Sequence, residues 1–278
     1  MLTLLNHMNK FLFFSLIILF FSCENEKSGR YLKKVIKNDA EKNAEDCNQK
    51  KLLTYYPQIE KIEKNVIFFK NGDKLIYDDG TKKSFLELIE NPDVEDQFFF
   101  LYPKNESLTE PIKNFDPGRI RNEEFFKIIY GKTKREVEQN LVEIVWCPKL
   151  VGEKILVSKI NNVHKKLVLI SKELDEHPEY KKYISNIGGT FNWRNIKGSE
   201  RMSMHSFGVT IDINVGYSDY WQWSCGCEDE LMSLKYNNKI PIEIVRIFEK
   251  HGFIWGGRWY HFDTMHFEYR PELLENCD

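Results

Sequence analysis

From Leu52 onward, apolar positions recur at strand or helix spacing, and turn residues separate the runs. Val66-Ile-Phe-Phe69 and Lys74-Leu-Ile-Tyr77 flank Asn71-Gly72, the pattern of a β-hairpin. Ser84-Phe-Leu-Glu-Leu-Ile89 starts a short helix that Asn91-Pro92 breaks. Asp116-Pro-Gly-Arg119-Ile-Arg121 reads as a turn; Asn122 then caps a helix that runs to Ile129 and ends at Gly131. Thr133 to about Leu141 reads as another helix, and Glu143–Trp146 and Ile155–Val157 as strands. Between Asn161 and Leu174 a turn leads into a helix with Val163, Leu167, Ile170 and Leu174 on one face.

The C-terminal region carries the sharpest alternation. Val209, Ile211 and Ile213 share one face of a strand, while Thr210, Asp212 and Asn214 share the other. Met265 and Phe267 likewise oppose Thr264, His266 and Glu268. Apolar faces turn to the core, so Asp212 and His266 point to the polar side. Between these strands Pro241 opens a helix with Ile244, Val245 and Phe248 in one stripe, which Gly252 ends. The fold class expected is α+β: a mostly antiparallel sheet with flanking helices, presenting ligands on one sheet face.

With 42% hydrophobic and 29% charged residues in 278, the chain is long enough to bury a proper core and is not disordered as a whole. A formal charge of -2 and the absence of a basic block disfavour nucleic acid as the main partner. Lys10 precedes an apolar run from Phe11 to Phe21, too short for an ordinary membrane-spanning helix but matching the apolar region of a signal peptide. The run ends Phe20-Phe-Ser22-Cys23 and resembles a bacterial lipoprotein signal, in which Cys23 becomes the first mature residue and carries lipid. A plain cleaved signal or an uncleaved anchor is the alternative; in each case the remainder is exported. Residues 24 to about 50, rich in Lys, Glu, Asn and Asp, read as a solvated tether. Setting Cys23 aside leaves Cys47, Cys147, Cys225, Cys227 and Cys277, an odd number, so at least one thiol pairs outside the chain or not at all. Cys225-Gly-Cys227 is too tightly spaced for a common structural zinc knuckle, and no catalytic role is expected of the cysteines.

Three stretches carry the chemistry: Ser203-Met-His205-Ser-Phe-Gly208-Val-Thr-Ile-Asp212, Gly252-Phe-Ile-Trp255-Gly-Gly257-Arg-Trp259 and Asp263-Thr-Met-His266-Phe-Glu268. Two imidazoles and a carboxylate are the usual protein ligands of a catalytic zinc, which keeps a further position open. His205, Asp212 and His266 supply that set for one Zn2+ per chain, and Asp263 can serve as the base. Each residue alone is weak evidence; their joint occurrence is not. Trp255 and Trp259 are candidates for a substrate groove or for core packing beneath it. Glu268 reads as a carboxylate that orients a ligand His, and His251 and His261 as non-ligands.

These motifs resemble the VanY-type family of D-alanyl-D-alanine carboxypeptidases and L-alanyl-D-glutamate endopeptidases, which act on peptidoglycan. The similarity is strong from Gly188 to Leu274 and extends more weakly to Asp116–Arg121. It implies zinc held by His205, Asp212 and His266, with Asp263 as catalytic base. It also implies an upstream arginine at the reacting carbonyl, matched by Arg194 in Thr190-Phe-Asn-Trp-Arg194, with Arg201 a possible substitute. The organisation expected is a signal peptide over 1–22, a tether over 23–50, an N-terminal accessory region over 51–110 that is either a recognition module or a packed extension, and a zinc peptidase domain over 111–278 with its core at 188–274. The substrate implied is a peptidoglycan stem peptide, met from a lipid anchor in the bacterial envelope. A metal-containing lipoprotein that binds peptide or wall without hydrolysis is the alternative, which the intact Asp263 disfavours. The bond cleaved and the oligomeric state are left open.

Overall fold

Capping residues and apolar stripes set the elements of the computed structural model, which describes residues 47–275. Helix α1 covers described residues 47–55. Strands β1 (Ile59–Glu63), β2 (Val66–Phe69) and β3 (Lys74–Ile76) form an antiparallel meander. Its second turn is the expected hairpin: Gly72 has φ 90°, and the Asn71 side chain accepts from the Asp73 amide at 3.0 Å. Helix α2 (Phe85–Glu90) starts with a reciprocal Ser84–Glu87 capping box. The Asn122 side chain caps α3 (Glu123–Tyr130), as its sequence position implies.

Helix α4 (Lys134–Glu138) is shorter than the spacing suggests. Leu141 is taken instead by β4 (Leu141–Trp146), which pairs along its whole length with β5 (Glu153–Ser158). The β-branched and aromatic content of this segment favours the pleated surface over further helix. Helix α5 (Val163–Leu174) follows, and its stripe Val163, Leu167, Ile170 and Leu174 is fully buried. A short α6 (Lys181–Ile184) leads to the last sheet.

That sheet has the order β6-β8-β7, from β6 (Thr210–Asp212), β7 (Phe253–Trp255) and β8 (His266–Tyr269), with both pairings antiparallel. Between β6 and β7 lie α7 (Trp221–Cys225) and α8 (Ile242–Lys250). The apolar face of α8 packs on the sheet, where Phe248 stacks on Phe267 with ring centres 3.9 Å apart. The core is continuous: Leu52 of α1, Tyr56 just after it, and Ile67 and Phe69 of the meander lie in the same cluster as Phe207, Ile211 and Phe267. Tyr56 also donates to Glu272 at 2.7 Å, tying the end of α1 to the C-terminal segment.

The signal segment, Cys23, most of the tether and Cys277 lie outside the described residues. Among those described, no helix is long and apolar enough to cross a membrane.

The packing makes a prediction about stability. Phe248 and Phe267 are both fully buried, so Phe248→Ala should cost about 3–5 kcal/mol. Leu169 is 46% exposed on α5, and Leu169→Ala should stay within about 0.5 kcal/mol. Urea unfolding of the two variants beside the parent protein measures both.

Candidate metal centre and active-site cavity

Strand register brings the first two functional side chains together. Asp212 on β6 is the direct partner of His266 on β8, and cross-strand partners project from the same face. The opposite face of β6 carries Ile211 into the core, flanked by Val209 and Ile213, all fully buried. A 3-10 turn, Met204–Phe207, presents His205 beside them; the Ser203 hydroxyl accepts from the His205 amide at its start. Gly208 ends that turn at φ 65°, and a Cβ there would lie 2.6 Å from Leu141 Cδ2. Glycine is therefore required both by the left-handed backbone and by the close approach of β4.

The ring nitrogens are committed in a definite way. His205 Nε2 lies 3.1 Å from Asp212 Oδ2, and His266 Nδ1 lies 3.0 Å from Asp212 Oδ1. His205 Nδ1 meets the Thr190 carbonyl at 2.8 Å. A carbonyl only accepts, so that nitrogen carries the proton and Nε2 keeps its lone pair. His266 Nε2 meets Glu268 Oε2 at 3.0 Å, which directs the Nδ1 lone pair inward in the same manner. Glu268 is held in turn by Arg270 at 3.3 Å. The candidate ligand atoms of His205, Asp212 and His266 all lie within 4.8 Å of one another. Outer hydrogen bonds that fix the tautomer of each imidazole are what a metal centre needs, and this donor set fits a zinc ion.

The electrostatics favour a cation at this point. Burial raises the Asp212 carboxyl, but His205 and then His266 overcome it and hold Asp212 well below the usual carboxylate range. Burial disfavours a charged His266, yet Asp212 and Glu268 push it up to about 10. The same negative field favours a metal cation in place of the Nδ1 proton.

Asp263 stands beside this group. Burial and then the Asp212 carboxylate push it up to about 7, close to where a general base works best near neutrality. Its Oδ1 is buried with no hydrogen-bond partner among the described residues. Two cross-links hold the segment in place: Asp263 donates its amide to Gly256 at 3.0 Å, and Thr264 donates to Asp219 at 2.9 Å. Asp219-Tyr-Trp221 is thereby pinned along the Asp263 segment.

All four side chains line one cavity of about 860 Å³. Arg194 also lines it, exposed, with Nη1 on the Asn195 carbonyl at 3.2 Å. The two tryptophans part company. Trp259 lines the cavity, its ring centre 5.6 Å from that of His266 and its Nε1 bonded to the Pro117 carbonyl. Trp255 is fully buried, bonds the Thr264 carbonyl and stacks on Phe267. It is core packing beneath the site and does not reach the cavity.

Sequence reasoning missed a second buried cluster. Asp116 Oδ2 bonds His261 Nδ1 at 2.6 Å and Arg119 at 2.9 Å, and Arg119 reaches Glu230 at 2.6 Å. Its ligand-type atoms also converge, but Arg119 already neutralises both carboxylates, so the group is an ion-pair network. It fastens the Glu230 segment to the turn at 116–119. The only signal for it was the weaker similarity over Asp116–Arg121.

Residues 197–269 match a family model described as D-alanyl-D-alanine carboxypeptidase. The match supports the VanY-type family. It spans His205, Asp212, Asp263 and His266 and leaves Arg194 outside. The match supports a peptidase acting on cell-wall peptides. No curated protein and no solved structure matches the chain.

The outer hydrogen bond to His266 is testable. Glu268→Gln removes the charge that holds the ring, and zinc affinity should fall by about 10- to 100-fold. Competition with a chromophoric chelator reads this directly.

Proposed function

We propose that this protein is a zinc-dependent peptidase that hydrolyses peptide bonds of peptidoglycan stem peptides, of D-Ala-D-Ala carboxypeptidase or L-Ala-D-Glu endopeptidase type. One observation carries the reading: His205 Nε2, Asp212 and His266 Nδ1 converge with their outer nitrogens already bonded, and Asp263 shares their cavity with an unsatisfied oxygen.

The chemistry that a bound zinc supplies is a water of lowered pKa and polarisation of the scissile carbonyl. His205, Asp212 and His266 are the residues that would hold it. Asp263, with a buried oxygen that has no hydrogen-bond partner among the described residues, takes the proton from the attacking water and passes it to the leaving amine. The planar Arg194 guanidinium stabilises the oxyanion that develops on the carbonyl. Trp259 closes part of the wall and helps exclude water.

The same reading assigns the protein to the bacterial envelope, exported and tethered by lipid on Cys23. A disulfide between Cys225 and Cys227 supports export, because such bonds persist in oxidising compartments. Cys147 is the free thiol among the described residues, and it is buried.

The division of labour has a direct test. His205→Ala, Asp212→Ala and His266→Ala should each lower both zinc content and activity. Asp263→Asn should keep zinc and fold while turnover falls on the order of 10²- to 10⁴-fold. Arg194→Ala should keep zinc and lose on the order of 10²- to 10³-fold. Metal analysis beside single-substrate kinetics separates these cases; zinc lost from Asp263→Asn, or wild-type turnover in it, would remove Asp263 as the base.

The anchor is tested separately. Cys23→Ala should release the protein from the detergent phase with its soluble activity intact, and full retention there would refute lipidation.

A further inference from the structure

The cavity that holds the candidate metal centre is also lined by arginines. Arg119 is accounted for by Asp116 and Glu230. Arg121 and Arg201 are not: among the described residues neither has an ion-pair partner within 4.0 Å. Arg121 reaches only the carbonyls of Arg119 at 3.4 Å and Met202 at 3.3 Å. Arg201 reaches the Arg119 carbonyl at 2.9 Å. A guanidinium offers five N–H donors, so most of these donors are left for something else.

Both guanidiniums are half-buried, and holding two like charges side by side there is costly. Burial, and then the neighbouring Arg121 and Arg119, push Arg201 down to about 9. Burial also lowers Arg121, against which Glu268 is the leading opposing charge. Glu268 is itself spent on His266 and Arg270. Half-buried cations that share only carbonyl partners and keep donors open to the cavity suit an anion, and planar forked guanidiniums suit a carboxylate.

We propose that Arg121 and Arg201 form the subsite for a free carboxylate borne by the substrate residue whose amine is released. This rests on the peptidase reading of the same cavity. Both bonds named for that reading meet the requirement. A terminal D-Ala carries its own carboxylate beside the scissile nitrogen, and a D-Glu joined through its side chain keeps its α-carboxylate there. The pair therefore selects for a negative charge next to the leaving amine and against ordinary internal peptide bonds, in which that carboxylate is consumed. Both arginines are positioning and specificity residues; neither takes part in proton transfer.

The test compares acid and amide forms of two synthetic substrates: a stem pentapeptide ending D-Ala-D-Ala, and an L-Ala-γ-D-Glu peptide with its α-carboxylate free or amidated. In the zinc-loaded protein the acid form of the bond that is cleaved should exceed its amide in kcat/KM by about 10- to 100-fold, the range of charge-assisted hydrogen bonds. The arm that responds identifies which carboxylate is read. Arg121→Gln and Arg201→Gln should retain zinc and lose most of that preference. Calorimetric binding of the same peptides to Asp263→Asn reads recognition without turnover, so it answers even if the peptidase reading fails. Tighter binding of the acid form there supports the subsite. Equal binding or cleavage of acid and amide by protein with intact arginines overturns it, as does full acid preference in both arginine variants.

Discussion

The antiparallel register of β6 with β8 is the constraint on which this site depends. With Asp212 opposite His266, one carboxylate spans two imidazoles, at 3.1 Å from His205 and 3.0 Å from His266. A slip of one residue would turn Asp212 toward the core and Ile211 toward the cavity, losing the ligand set and the packing together. The register is protected from both sides. Phe267 and Ile211 fix the buried face; on the outer edge of β6 the Gly188 amide donates to the Asp212 carbonyl at 2.8 Å and the Asp212 amide donates to the Gly189 carbonyl at 2.9 Å. An edge strand closed in this way has no free row of donors on which to slide.

Around that register the protein keeps many charges out of water, and most are paired. Arg270 meets Glu272 and Glu268, Arg258 meets Glu249, and Arg119 meets Asp116 and Glu230. Buried pairs contribute little net stability but penalise any arrangement that separates them. Their placement suits geometry more than energy. Arg270 locates Glu268, which locates His266; Glu249 receives Arg258 and the Tyr102 hydroxyl, which in turn accepts from the Trp255 amide on β7. The site is thus held by chains of directional bonds that reach back to the N-terminal extension.

What could be read from sequence follows from the range of the interactions. Strand alternation put Asp212 and His266 on the polar side of their strands, and the local spacing of His205, Gly208 and Asp212 was legible because a single turn joins them. The face called polar is nonetheless largely buried, with Thr210 fully so, because the cavity wall covers it. Trp255 and Trp259 looked equivalent within one Gly-rich segment. The 3-10 turn Gly256–Arg258 between them sends one ring under the sheet and the other into the cavity, and no periodicity encodes that reversal. The helix after Thr133 was overextended because pairing with β5, an interaction between segments, claims Leu141. Arg119 and Arg121 carry only a turn signal, since nothing local says that a turn about 80 positions upstream of Arg201 shares its cavity.

Two opposite kinds of charge line this one cavity. Asp212, Glu268 and Asp263 create a field suited to a cation, while Arg121 and Arg201 create one suited to an anion. Each would destabilise the protein if left alone, and each moderates the other only in part, through the reach of Arg121 to Glu268. A ligand that offers a polarisable carbonyl to one group and a carboxylate to the other relieves both costs at once. Affinity for such a ligand then comes from charges already fixed by the fold, with little side-chain ordering left to do on binding. Under the proposed reading, the same packing that orients His205 and His266 would also set where that carboxylate stands.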